Sequence, residues 1–309
     1  MDNLKEIRSK FEKDGYIWIK NFFDTDQIKN FFKSCDDKFH IEAINSSPEI
    51  TSNSNLQNFF DNDKLINILN NLTDKNLTYF GGGNIVGHKN DGSNILRWRR
   101  MHTDTRGHDT NPNGKTYYDP AKKNWPVLDV YIYLEDFENQ SGCLKIARGS
   151  HKKFLPTLGN FIKVIFNISK NYKFNGTYSF KSIPFLYLFN LKNLKTKPGD
   201  LIIFNHAIHH SPNSLILKKF PNLCLPVFLE NFLEKYFPNL FLKKSLKRRI
   251  ISLCFGEKSK ELDNFIKSRV QYLNREYFDN SKFFNDPAFR EYLNKKNIEC
   301  DTTLKTLIK

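Results

Sequence analysis

The sequence predicts a mainly β domain with helical additions, an α+β chain. Three observations point there. Hydrophobic residues make up 39% of 309 residues and aromatic residues 15%, with 29 Phe, which is enough for a large core. From residue 78 onward, short apolar runs separated by Gly-, Asn- and Ser-rich turns carry the period of strands. Both ends of the chain carry helical spacing instead.

In chain order, Leu4, Ile7 and Phe11 share one face of a helix over 4–13, which Asp14-Gly15 ends. Tyr16 to Lys20 reads as a strand. Asp24-Thr-Asp-Gln27 has the spacing of a capping box, and Ile28, Phe31 and Phe32 give the next helix its apolar face. Residues 45–60 are polar loop, and 64–72 form a further amphipathic helix. Strands follow at 77–86, through Gly81-Gly82-Gly83, and at 95–99, leading toward His102. A polar loop spans 109–125. Val127–Leu134, Cys143–Ala147, Leu201–Phe204 and Ile250–Phe255 complete the strands.

Two segments, about 152–197 and 215–247, depart from this frame and read as helical insertions or lids. The expected organisation is one domain over 1–256 carrying both insertions. A helical extension at 257–309, with Leu262, Phe265, Ile266, Val270 and Leu273 at helical spacing, packs on that same domain.

The chemistry concentrates in His102-Thr103-Asp104 and in Pro198-Gly-Asp200 through His209-His210. Two imidazoles and one carboxylate can hold one face of a metal ion and leave the other open. That donor set suits Fe(II), with O2 and a cosubstrate taking the open positions. Residues two apart on a strand point the same way, so His102 and Asp104 can serve together.

Four blocks in order resemble the phytanoyl-CoA dioxygenase family: Phe11 to Ile28 with its Asp14-Gly15-Tyr16; Trp98-Arg-Arg-Met-His102-Thr-Asp104; Tyr131 to Asp136 with Gly142-Cys-Leu through Gly149-Ser150-His151; and Pro198-Gly-Asp200 to His210. The resemblance spans roughly residues 8 to 256. It implies a double-stranded β-helix (a jelly-roll, cupin-like barrel), Fe(II) held by His102, Asp104 and a distal histidine, and 2-oxoglutarate as cosubstrate. His210 stands six residues after Phe204, where relatives place that histidine. His209 is the alternative, because Ser211 would then lie two residues beyond it. The cosubstrate anchor of relatives opens an "arg-x-x-x-ser" strand about a dozen residues past the histidine. Here that strand reappears as Arg248-Arg-Ile-Ile-Ser252, so Arg248 is the expected anchor, with Ser252 beside it and Arg249 on the opposite face. Tyr131 and Tyr133 share a face with Asp129, either lining the cosubstrate pocket or packing in the core. The resemblance implies hydroxylation of an unactivated C–H bond with release of succinate and CO2. The presence of Asp104 argues against the halogenases of the family, which carry a small residue there.

Other histidines carry weaker signals. His108-Asp109 falls in the polar loop, His151 reads as structural at a strand end, and His206 lies inside an expected Phe204–His210 strand. Net charge is +15, and no acidic residue occurs between Asn139 and Gly199 while 11 Lys and Arg do. This fits either an anionic substrate with an apolar body or a merely basic, Lys- and Asn-rich surface. No arginine-rich tract or zinc-finger spacing points to nucleic acid. No run reaches the roughly 20 apolar residues of a membrane span, and the five cysteines are scattered singly. A cytoplasmic protein with no stable membrane insertion is the expectation, and the sequence leaves the oligomeric state open. A non-catalytic barrel binding metal or an anionic ligand is the alternative. A basic surface protein using the Phe- and Lys-rich 215–247 is a third reading.

Overall fold

The computed structural model describes residues 4–36, 58–74, 76–89, 101, 127–151, 190–245, 247–263, 265–266 and 287–300. The elements run α1 (Leu4–Asp14), β1 (Tyr16–Ile19), α2 (Thr25–Asp36), α3 (Asp63–Leu72), β2 (Leu77–Lys89), β3 (Val127–Tyr133), β4 (Cys143–Ala147), β5 (Leu191–Leu194), β6 (Leu201–Asn205) and β7 (His210–Ser214). Then come α4 (Val227–Tyr236), a 3-10 turn (Pro238–Leu240), β8 (Lys247–Glu257), α5 (Pro287–Lys295) and β9 (Glu299–Cys300). The expected strand at 95–99 and loop at 109–125 lie outside the described residues.

Two sheets face each other. One has the order β1-β6-β3-β8-β2-β9, the other β5-β4-β7. From β5 to β8 each successive strand switches sheet, as strands do in a jelly roll. All pairings are antiparallel except β2 with β9.

The period of two divides the large sheet into two faces. Leu128, Val130, Ile132, Leu201, Ile203, Ile251 and Leu253 face outward into one apolar cluster. Phe11 of α1 and Leu65, Ile66, Ile68 and Leu69 of α3 fill that cluster, together with Leu262, Phe265, Ile266, Phe289 and Leu293 from beyond residue 257. Tyr133, Ile202, Phe204 and Ile250 face inward and meet Leu144, Ile146 and Leu194 of the other sheet.

The capping box is reciprocal: Gln27 N–H donates to Asp24 Oδ1 at 2.8 Å, and Asp24 N–H donates to Gln27 Oε1 at 3.0 Å. In β2 the register with β8 shifts between Tyr79 and Gly81 and again between Gly82 and Asn84, so the glycine run is where the strand bulges.

Two strand boundaries differ from expectation. β5 lies within the stretch read as an insertion and pairs with β4 from Leu144–Leu194 to Ala147–Leu191. Four residues with two polar ones carry too little pattern to read as a strand. The expected Phe204–His210 strand stops at Asn205. The Asn205 side chain accepts from Ala207 N–H at 2.9 Å and its carbonyl accepts from Ile208 N–H at 2.8 Å, closing a turn that carries the chain to the other sheet.

Candidate active site

His210 opens β7 directly opposite Ile146 of β4. Ile146 faces the space between the sheets, so His210 does too. It is buried, and its ring centroid lies 5.2 Å from that of Phe204. Its Nδ1 is 3.1 Å from the Ile208 carbonyl, an acceptor only, so Nδ1 carries the proton. Donation from Nδ1 to that carbonyl leaves the lone pair on Nε2, one of the two nitrogens through which an imidazole can ligate a metal. His209 has the opposite parity. Its N–H donates to Ser150 Oγ at 2.7 Å and its carbonyl accepts from Ala147 N–H.

Tyr131 and Ser252 are cross-strand partners on the inward face of β3 and β8. The Tyr131 ring meets Phe204 edge-on at 4.8 Å, so Phe204 stands between Tyr131 and His210. Position 248 is four residues before Ser252, opposite His88 of β2, and so shares the face of Ile250 and Ser252. Position 249 falls on the other face, where Arg249 Nε donates to Glu135 Oε1 at 2.6 Å. The described part of the site is therefore a strip of the barrel's inner wall, from His210 through Phe204 and Tyr131 to Ser252 and position 248.

His102, Asp104, His108 and Asp109 lie outside the described residues. Met101, immediately before His102, is buried with Ala147, Val227 and Leu191. Ala147 follows Ile146, the partner of His210. Among the described residues no group of three or more metal-ligating side chains converges.

A polar pair without any local signal in the sequence lies on the same wall. Asp129, inward-facing on β3, bonds through Oδ2 to His206 Nδ1. Cys254 of β8 directs its thiol at Asp129 Oδ1, 3.4 Å away. Both members of the pair are buried, and Phe265 meets the His206 ring edge-on at 5.2 Å. His206 is thus a turn residue beside the inner wall rather than a strand residue. The alternation that put Asp129, Tyr131 and Tyr133 on one face was legible in sequence. The histidine partner, 77 residues away, was not.

Asp200 and His151 are structural. Asp200 accepts from Trp18 Nε1 at 2.9 Å, from Asn21 N–H at 2.9 Å and from Lys197 N–H at 3.0 Å, tying the turn before β6 to β1. Gly199 in that turn has φ +89°, and a Cβ there would collide with the Phe23 carbonyl. His151 meets the Glu12 carbonyl at 3.1 Å.

The 215–247 excursion is anchored on the outer face of the small sheet. Lys145 of β4, fully buried, pairs with Glu230 of α4 and donates to the Leu225 carbonyl. Ser214 Oγ lies 3.1 Å from Glu230 Oε1 and 2.7 Å from Asn193 Oδ1. Burial pushes the nearby Cys224 thiol up to about 12. Lys145 is one of the 11 cations counted between 139 and 199, and its charge is spent inside the fold, not on a surface facing substrate.

No protein-family model matches the chain, and no curated protein matches it in sequence. Solved structures do match in fold. The non-heme alpha ketoglutarate dependent carbocyclase SnoK from nogalamycin biosynthesis superposes with a TM-score of 0.51 at 12% identity, covering 83% of this chain and 85% of that one. The non-heme alpha ketoglutarate dependent epimerase SnoN from the same biosynthesis gives 0.50 at 11% identity, covering 82% and 83%. At such identities the likeness is one of fold: a β-rich jelly roll with helical additions. Among the described residues no helix is long and apolar enough to cross a membrane.

Proposed function

We propose that the chain is an Fe(II)- and 2-oxoglutarate-dependent oxygenase that hydroxylates an unactivated C–H bond of an anionic small-molecule or lipid-like substrate. The observation that carries this reading is His210: a buried imidazole on the inner wall, opposite Ile146, whose Nδ1 faces the Ile208 carbonyl at 3.1 Å. His102 and Asp104 complete the ligand set. SnoK and SnoN, both described as alpha ketoglutarate dependent, share the fold and support the choice of cosubstrate.

When bound, iron with 2-oxoglutarate supplies O2 activation, with succinate and CO2 as co-products. The chain's own residues do the rest. The Ile208 carbonyl orients the His210 ring through Nδ1. Phe204 and Ile202 keep the inner wall apolar, which strengthens every charged contact made there. Arg248 offers a planar fork for the distal carboxylate of the cosubstrate, and the Ser252 hydroxyl and Tyr131 flank the same path.

Succinate formation tests the reading. Under air, with Fe(II), 2-oxoglutarate and a panel of anionic apolar substrates, the wild type is expected to release succinate in step with hydroxylated product. His102→Ala and His210→Ala should abolish both. Succinate release that persists in both variants, or that ignores iron, contradicts the assignment.

A further inference from the structure

Among the described residues seven large apolar side chains are exposed, and six of them fall between residues 220 and 240: Phe220, Leu223, Phe232, Tyr236, Phe237 and Leu240. Scattered exposed apolar residues need no explanation, but this degree of concentration does. The segment is not short of core. Leu229 and Leu233 of α4 pack against Leu215, Leu225 and Phe241, Val227 packs against Met101, and Glu230 is locked to Lys145. The inner face of the helix is therefore satisfied, and its outer ridge, Phe232 with Tyr236 at a tilted 5.0 Å ring separation, is left facing out. Main-chain bonds join the rest to it: Lys218 N–H donates to the Leu240 carbonyl, and Leu240 N–H to that of Phe237.

The charges around this ridge have one sign. Residues 215–247 hold six Lys and two Glu. Glu230 is buried against Lys145 and Glu234 is paired with Lys244, while Lys218, Lys219, Lys235 and Lys243 are exposed. Lys235 Nζ lies 5.2 Å over the Tyr236 ring. Phe and Tyr side chains rimmed by lysine match the boundary between lipid headgroups and acyl chains, where rings enter the interface and ammonium groups meet anionic headgroups.

We infer that the ridge formed by Phe220, Phe232, Tyr236 and Phe237, with Lys218, Lys219 and Lys235, seats the protein peripherally on a bilayer surface containing anionic phospholipid. This goes beyond the oxygenase reading and does not depend on it.

Vesicle co-sedimentation of the full chain tests it, using phosphatidylcholine alone and an equal mixture with phosphatidylserine. The wild type should pellet with the mixed vesicles, stay in solution with the neutral ones, and be released as salt is raised. Phe232→Ser/Tyr236→Ser/Phe237→Ser and, separately, Lys218→Glu/Lys219→Glu/Lys235→Glu should each lower partition at least tenfold while keeping the wild-type unfolding midpoint. Partition that is unchanged in both variants, or indifferent to phosphatidylserine and salt, overturns the inference. So does a wild type that ignores both vesicles and is an oligomer in light scattering that the triple Ser variant turns into a monomer, for the ridge is then a self-association surface. The assay needs neither metal nor cosubstrate, so its failure is separable from failure of the oxygenase reading.

Discussion

Two buried polar pairs lie on opposite sides of the barrel wall, and they differ in what surrounds them. Lys145–Glu230 is on the outer face of the small sheet, with the Leu225 carbonyl and the Ser214 hydroxyl within hydrogen-bond reach. Asp129–His206 is on the inner wall of the large sheet, beside Phe204 and Cys254, in the same strip as Tyr131 and His210. The outer pair clamps an excursion of the chain onto the barrel. The inner pair ties β3 to the turn that follows β6. The two pairs therefore belong to different sheets, one outside the barrel and one inside it.

The largest effect tests the clamp. Lys145→Met leaves Glu230 buried without its partner and should cost about 3–5 kcal/mol in urea unfolding, whereas Lys145→Met/Glu230→Met should recover most of that loss. If the double variant is as unstable as the single, the pair is not a clamp of this kind. Next, His206→Leu takes the imidazole from Asp129 and should cost roughly 1–3 kcal/mol. If the chain is the oxygenase proposed above, the same substitution should also change the concentration of 2-oxoglutarate needed for turnover, which Lys145→Met/Glu230→Met should leave alone. Equal effects of the two on that concentration would erase the distinction between the walls. A third change probes the join of the N-terminal segment to the barrel. Gly15 has φ +82° and its Cβ would collide with the His151 ring, so Gly15→Ala should cost about 1–2 kcal/mol in thermal unfolding. The smallest is Asp24→Ala at the α2 cap, about 1 kcal/mol by the same measurement, with no effect on ligand binding.

Local signals were legible where one stretch of chain decides the outcome. The capping box at Asp24–Gln27, the helices at 4–14 and 63–72, and the alternation of Asp129, Tyr131 and Tyr133 against Val130 and Ile132 all follow from nearest neighbours. The choice between His209 and His210 rested on a count from Phe204, and the register of β7 with β4 puts His210 on the inner face. What escaped the sequence depends on distant partners. A lysine in Cys143-Leu-Lys-Ile-Ala reads as surface until Glu230, 85 residues on, arrives over it. Asp129 and His206 meet only because β3 and β6 are neighbours in the sheet. The turn at 206–208 was hidden because an Asn inside an apolar run ends a strand only when its side chain closes on its own backbone.

The central claim is that His210 and the inner wall form an iron and 2-oxoglutarate site with His102, Asp104 and Arg248. The most direct test is an anaerobic titration of the apo-protein with Fe(II) and then 2-oxoglutarate, followed by visible absorption. The account predicts the weak charge-transfer band of a chelated complex in the wild type, its loss in His102→Ala, and iron binding without the band in Arg248→Ala at the same cosubstrate concentration. A wild type that binds no iron, or binds it and never develops the band, contradicts the account.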